Sequence, residues 1–311
     1  MSRAAGCGLC PRACGAPRTP DQPGWCGSDE GFSDFRVARL MDHHWEEPFI
    51  SGVKGSGTVF FTGCALGCCF CQNQPISRGH QGDRLTPDQL LHMVVSLLQT
   101  GVHNLNLVTP SHYADRIPAF IAALRQTDAW KHRPVPIIWN SSAYETVASL
   151  RQLAGTIDIY LPDMKFFDVA LSRDLAKAPD YAEIARAAIL EMLRQQPAAA
   201  FGSDGLLTRG VVIRHLVLPG HWRDSCRILA ELASLVPGET PLSIMCQYTP
   251  QAQLSCDGHP ELQRRLTTWE YRKVLDCALD LGFNNLFVQE RSSADPAYTP
   301  DFSARFRPGR T

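Results

Sequence analysis

The chain has 311 residues, with 30 basic against 31 acidic side chains and a formal net charge of −1. That length suits one large α/β domain or two smaller ones, and the balanced charge argues against a nucleic-acid or membrane surface as the main partner. No run of roughly 18 apolar residues occurs, so nothing is expected to span a membrane; the polar stretch Met1 to Pro20 lacks the apolar core of a secretory signal, so a cytoplasmic location is expected.

The first feature in chain order is a cysteine group, Cys7-Gly8-Leu9-Cys10-Pro11-Arg12-Ala13-Cys14, completed by Cys26. Four thiolates among glycines and prolines suit a small closed metal site, either tetrahedral zinc or a second iron–sulfur cluster. A segment of about 30 residues this rich in Gly and Pro buries no core of its own, so a metal staple is physically reasonable. The glycines Gly52, Gly55 and Gly57 follow. No Lys-Ser/Thr comes after them, so they are read as letting the backbone pass close to a cluster rather than as a phosphate loop.

Thr58–Phe61 is the first expected strand. It leads into Cys64-Ala65-Leu66-Gly67-Cys68-Cys69-Phe70-Cys71. The spacing C-x3-C-x2-C, through Cys64, Cys68 and Cys71, offers three thiolates and no fourth nearby. Thiolates hold iron–sulfur clusters, and three of them leave one iron of a [4Fe–4S] cluster open. An open coordination position is what lets a metal centre act on a substrate. Zinc prefers paired C-x2-C elements and a fourth ligand. Cys69 is expected to be a bystander, Cys226, Cys246 and Cys277 to pack in the core, and Cys256 to be a loop thiol without a role. In a cytosolic chain, cysteine clusters are read as metal or redox sites rather than disulfides.

Strands and helices then alternate. Thr86-Pro87-Asp88 opens a helix with an N-cap and an N1 proline, and Leu90, Leu91, Val94, Val95, Leu97 and Leu98 repeat at helical spacing. Strands are expected at Leu105–Val108, Ile137–Trp139, Ile157–Leu161, Val211–Leu218, Leu242–Met245 and Leu286–Val288. Helices are expected near Asp115–Leu124, Tyr144–Leu153, Tyr181–Leu193 and Asp224–Leu235, and one from the capping box Thr267-x-x-Glu270 to about Leu281. Apolar strands between amphipathic helices imply a parallel sheet covered by helices. A barrel and an open sheet share that pattern.

In such folds chemistry gathers at the carboxyl ends of the strands. Thr109 and His112, Asn140, Asp163 and Lys165, and Arg214 to Gly220 with His215, all sit at or just after a strand, as do Gln247 and Tyr248.

Cys64, Cys68 and Cys71, with Phe70 before the last of them, resemble the signature of radical S-adenosylmethionine enzymes. The resemblance extends to a narrower group, the pyruvate formate-lyase activating-enzyme-like proteins. It runs through Cys7 to Gly15, Glu46-Glu47-Pro48, Gly55 to Thr58, Cys71-Gln72-Asn73, Asn106 to Tyr113, Asp158 to Lys165, Arg214 to Gly220 and Gln247-Tyr248. It implies an α/β fold, a partial (β/α)6 barrel over residues 51–290. A cysteine-rich metal-binding extension would occupy residues 1–50 and a tail residues 291–311. It implies an oxidoreductase-like enzyme with a [4Fe–4S] cluster, S-adenosylmethionine as ligand and an electron donor such as flavodoxin or ferredoxin. It implies reductive cleavage to a 5′-deoxyadenosyl radical for hydrogen abstraction, with a protein substrate if the chain activates a glycyl-radical enzyme. Peptide or small-molecule modification is the alternative, and a non-enzymatic iron–sulfur or zinc protein a further one. Phe70, Thr109, His112, Asn140, Asp163, Lys165 and His215 are then the expected lining of the S-adenosylmethionine pocket. True activators carry Gly-Gly-Glu after the second strand, where this chain has Thr109-Pro110-Ser111-His112. Tyr298, Phe302 and Phe306 of the tail are expected to dock over the open side.

Overall fold

The run Val59-Phe60-Phe61 does not alternate with polar residues, and it lies on a buried interior strand of the main sheet. A computed structural model describes residues 6–250 and 256–289, together with Pro300 and Phe302. Its strands are β1 (Phe35–His43), β2 (Ser56–Phe61), β3 (Asp83–Leu85), β4 (Leu105–Val108), β5 (Ile137–Ser141), β6 (Ile159–Pro162), β7 (Ala200–Phe201), β8 (Leu207–Val211), β9 (Ile213–Leu216), β10 (Leu242–Met245) and β11 (Leu286–Val288). One sheet has the order β3-β1-β2-β4-β5-β6-β8-β7 and a second the order β11-β10-β9. From β2 to β8 the pairings are parallel, as they are from β9 to β11. All residues of β2, β4, β5 and β6 are buried. Strands covered on both faces read as continuous apolar runs, which is why they were visible without alternation.

The single strand expected over Val211–Leu218 is broken. β8 pairs with β6, while β9 pairs with β10. The two sheets touch at the break, where Asp163 and Arg214 form a parallel bridge and the Met164 N–H donates to the Arg214 carbonyl at 2.8 Å. That bridge sets two charged side chains side by side at the carboxyl end of β6.

Helices cover the sheet where the pattern put them. Thr86 caps Pro87–Gln99 in a reciprocal box with Gln89, and Thr267 caps Thr268–Asp280 in the same way with Glu270. The helices Ile117–Leu124, Tyr181–Gln195 and Trp222–Leu235 pack their apolar faces into one large buried cluster that includes Leu105, Trp139, Tyr160 and Leu229. No described helix is long and apolar enough to cross a membrane.

Several expectations need correction. Residues 1–50 contain β1, which lies antiparallel on β2 and is part of the main sheet. Its charged positions Arg36, Arg39 and Asp42 hid it from a search for apolar runs. The glycines Gly52, Gly55 and Gly57 lie before or at the start of β2, the end away from the cysteine loop. Gly57 instead lets Val102 and the Asn104 carbonyl approach β2. Four cysteines are paired: Cys69 with Cys256, and Cys226 with Cys277. Cys69 and Cys256 are therefore partners rather than a bystander and an idle thiol. Tyr298 and Phe306 lie outside the described residues.

Candidate functional site

The carboxyl ends of β2, β4, β5, β6, β9 and β10 surround one cavity of about 240 Å³. Its lining comes from residues of these strands and from the loops that follow them, in keeping with the strand-end rule. β2 contributes Cys64, Cys68, Phe70 and Cys71; β4 contributes Thr109; β5 contributes Asn140; β6 contributes Asp163 and Lys165; β9 contributes Arg214; and the segment after β10 contributes Gln247 and Tyr248.

The cysteine loop is held in place by neighbouring segments. The Gly67 and Cys69 N–H groups donate to the carbonyls of Ala176 and Leu175 at the end of helix Val169–Ala176. Arg78 donates to the Leu66 and Trp25 carbonyls, and Arg12 to the Ala65 carbonyl. Cys64, Cys68 and Cys71 are unpaired thiols. Burial pushes Cys64 up, with Cys71 beside it adding to the rise. Burial pushes Cys68 up to about 12, against the pull of Lys165. The Leu66 N–H points at the Cys64 sulfur at 3.3 Å and the Ser77 hydroxyl at the Cys71 sulfur at 3.4 Å. Three half-buried thiols with donors already aimed at two of them fit a cationic centre that binds them as thiolates.

Across from the loop lies a buried charge network. Arg214 donates to Asp163 at 3.0 Å, to Glu46 at 3.1 Å and to the Asn140 side-chain carbonyl at 2.6 Å. Lys165 donates to the other oxygen of Asp163 at 2.6 Å. Glu46 also accepts from Asn106 and Asn140. Burial would raise the Asp163 carboxyl, but Arg214 and Lys165 hold it below its ordinary value. Burial pushes Glu47 up, since Arg214 reaches it only at 4.0 Å and Glu46 repels it.

Two buried polar atoms of cavity-lining residues, His43 Nδ1 and Asn73 Oδ1, have no hydrogen-bond partner. Unpaired buried polar atoms are costly, and here both belong to residues that border the cavity. Burial lowers His43 to about 4, which leaves it neutral near pH 7. Thr109 holds a left-handed backbone at φ +57°. The Phe70 ring lies 6.2 Å from both Phe166 and Tyr248. Pro300 also lines the cavity, and Phe302 packs edge-on against the lining residue Phe60 at 5.5 Å.

Of the residues expected to line an S-adenosylmethionine pocket, Phe70, Thr109, Asn140, Asp163 and Lys165 line this cavity. His112 and His215 do not. The His112 ring is buried and bonds the Thr62 carbonyl at 2.8 Å. His215 is buried between the Met164 carbonyl and the Ser225 hydroxyl. His215 packs behind β9, because a strand residue and its neighbour face opposite sides of the sheet, whereas His112 lies in the short helical turn Ser111–Tyr113 after β4. Arg214, one residue before His215, faces the cavity instead. Glu46 and Arg214 stood within the matching segments but were not expected as lining. The signal that finds Arg214 is its placement beside Asp163 through the β6–β9 bridge, and Arg214 in turn reaches Glu46.

The N-terminal cysteines form one neighbourhood. Burial raises Cys10 to about 11, with Cys7 and Cys14 adding to it, and raises Cys26 to about 12, with Cys10 and Cys7 adding. Cys7, Cys10 and Cys26 are buried and Cys14 is exposed. The Arg18 side chain is fully buried and donates to Glu30 at 3.0 Å and to the His112 carbonyl at 2.8 Å. Arg12 stacks over Trp25 and Tyr144.

No family model matches this chain. It is similar to the uncharacterized protein MJ0674 of Methanocaldococcus jannaschii, 26% identical over 279 residues, which cover 88% of this chain and 74% of that protein. Among solved structures it is similar to Streptococcus suis SuiB, solved bound to precursor peptide SuiA. The TM-score is 0.48 with 11% identity, covering 73% of this chain and 46% of that one. The chain thus spans less than half the length of SuiB, and a likeness at that score carries no argument about activity.

Proposed function

We propose that this chain is a radical S-adenosylmethionine enzyme. The observation that carries the reading is the cavity itself, with three unpaired thiols on one wall and a charge network of both signs on the other. Cys64, Cys68 and Cys71 would hold a [4Fe–4S] cluster. When bound, that cluster supplies the electron that cleaves the sulfonium of S-adenosylmethionine and starts hydrogen abstraction.

The chain's own residues have separable roles. Lys165 pairs with Asp163, and its charge also acts on Cys68, so it offsets negative charge on the loop. A zwitterionic ligand needs acceptors for its ammonium and donors for its carboxylate and hydroxyls. Asp163, Glu46 and Asn73 offer acceptors, and Lys165, Arg214 and Asn140 offer donors. Phe70 and Tyr248 supply an apolar wall for a base. Phe302 packs against the lining residue Phe60 and adds apolar cover to that wall, which helps keep water from a reactive species. On this reading the parallel strands form the wall of a partial (β/α)6 barrel over residues 51–290. Cys7, Cys10, Cys14 and Cys26 hold zinc or a second cluster, and a flavodoxin or ferredoxin supplies the electron.

For the substrate, a peptide or small molecule is favoured over a glycyl-radical protein. Thr109, in its left-handed conformation, faces the cavity where activators carry Gly-Gly-Glu, and Ser111 and His112 are buried away from it. Glycyl-radical activation is the second reading, supported by the shared segments Asp158 to Lys165 and Arg214 to Gly220. Anaerobic incubation with candidate glycyl-radical proteins, read by electron paramagnetic resonance, separates the two. A glycyl doublet selects the activator, whereas deuterium transferred from labelled 5′-deoxyadenosine to a peptide or metabolite selects the favoured reading.

A further inference from the structure

Outside the cavity, three ligand atoms converge on one point. The His221 Nε2 lies 2.8 Å and the His259 Nδ1 3.0 Å from the same oxygen, Glu261 Oε1. All three atoms lie within 4.8 Å of one another. They come from separate parts of the fold. His221 precedes helix Trp222–Leu235, and His259 and Glu261 belong to the short turn at Pro260–Gln263. We propose that His221, His259 and Glu261 form a binding site for a divalent transition-metal ion of the zinc type. The site is distinct from both cysteine groups.

The chemistry of the set fits. Two imidazoles and one carboxylate are the protein ligands of a three-point zinc site, which water or another donor completes. Metal-bound histidines usually pass their other ring N–H to a carboxylate. The remaining nitrogen of His259, Nε2, faces Asp174 Oδ2 at 3.9 Å. The backbone is also shaped for it. Gly220 has φ +82°, and a Cβ there would stand 2.6 Å from the Glu261 Cγ, so the glycine leaves the space that the Glu261 stem occupies. Without an ion, two imidazoles share a single carboxylate oxygen, and a cation between them satisfies all three groups at once.

The site's place in the fold says what an ion there does. The turn it anchors carries Leu262, whose carbonyl accepts from the Tyr248 hydroxyl at 2.7 Å, and Tyr248 lines the cavity. Cys256, three residues before His259, is bonded to Cys69 of the cysteine loop. A metal at His221, His259 and Glu261 is a brace that fixes this wall of the cavity against the helix Trp222–Leu235. Its role is positional, not catalytic.

The test uses Co²⁺ and Zn²⁺ with the full-length protein, its cysteine sites first filled by anaerobic iron–sulfur reconstitution. The wild type is expected to take up one equivalent of Co²⁺ more than the His221→Ala and His259→Ala variants, with weak visible bands and no added sulfur-to-metal charge transfer. Zn²⁺ should displace it, and Asp174→Asn should weaken binding by about tenfold. His259→Cys guards against a folding artefact, because it should keep the equivalent and add a sulfur-to-cobalt band. Equal Co²⁺ uptake and spectra in the wild type and all these variants would overturn the site. None of these readouts depends on cleavage of S-adenosylmethionine, so a failure here is distinct from a failure of the proposed activity.

Discussion

The backbone N–H of Cys64 donates to the carbonyl of Cys26 across 3.2 Å, which joins the last N-terminal cysteine to the first cysteine of the loop. Arg12, Trp25 and Arg78 add hydrogen bonds between the same two segments. The N-terminal cysteines are therefore part of the support of the cavity wall. Removing residues 1–30 is expected to lower stability and iron retention on the loop together, rather than stability alone. Arg18→Ala is a finer probe, since it leaves Glu30 buried without its cation. It should cost about 3–5 kcal/mol in denaturant unfolding, and iron content should fall with it. Full iron retention by the Arg18→Ala protein would show that the loop stands alone.

Gly63 is the glycine that the close approach requires. It has φ +97°, and a Cβ there would lie 2.6 Å from the Cys26 carbonyl oxygen. Both the backbone conformation and the contact oppose a side chain. Gly63→Ala should destabilise the protein by roughly 1–3 kcal/mol, with loss of bound iron at unchanged cysteine number. Ala at Gly8, where a Cβ meets nothing within 4 Å, should be tolerated and serves as the control.

Arg214 is the cation of the charge network. Arg214→Ala leaves Asp163 with Lys165 alone and Glu46 with amides alone. Unfolding free energy should drop by about 3–5 kcal/mol, and affinity for S-adenosylmethionine, read by calorimetry on reconstituted protein, should fall at least tenfold. Arg214→Lys keeps charge but not the forked geometry, so it should recover stability better than binding. Wild-type affinity in both variants would remove Arg214 from the ligand pocket.

Acid sensitivity follows from the buried histidines. Burial lowers His215 to about 4, so it is neutral in the folded chain, while the unfolded chain takes up its proton near pH 6.5. Between those values the unfolded state binds more protons, so stability is full above pH 6.5 and falls as the pH drops toward 4. The shift corresponds to about 3 kcal/mol for His215, and burial lowers His43 and His112 in the same sense. His215→Gln should be less stable than the wild type at pH 7.5 and show a shallower loss between pH 6.5 and 4. Parallel pH profiles would contradict the assignment.

The order of strands and helices was legible because buried parallel strands and capped amphipathic helices leave strong local patterns, as at Leu105–Val108 and Thr267–Glu270. That Cys64, Cys68 and Cys71 share one short loop after a strand was legible from their spacing and from the apolar run before them. Other features were not. β1 is held by pairing with β2 and β3 and carries no apolar run, so only the sheet reveals it. The Asp163–Arg214–Glu46 network joins residues far apart in the chain through the β6–β9 bridge, and no local rule brings them together. Cys69 and Cys256 are 187 residues apart, and connectivity across that span does not follow from sequence.

The central claim is tested most directly by chromatography for 5′-deoxyadenosine after anaerobic reconstitution with iron and sulfide, then incubation with dithionite and S-adenosylmethionine. The wild type and Cys69→Ser are expected to release 5′-deoxyadenosine. Cys64→Ala, Cys68→Ala and Cys71→Ala are expected to release none and to lose about four irons each, the content of one [4Fe–4S] cluster. Wild-type protein that holds the cluster on those three cysteines yet leaves S-adenosylmethionine intact, or the same yield from all three variants, would contradict the account.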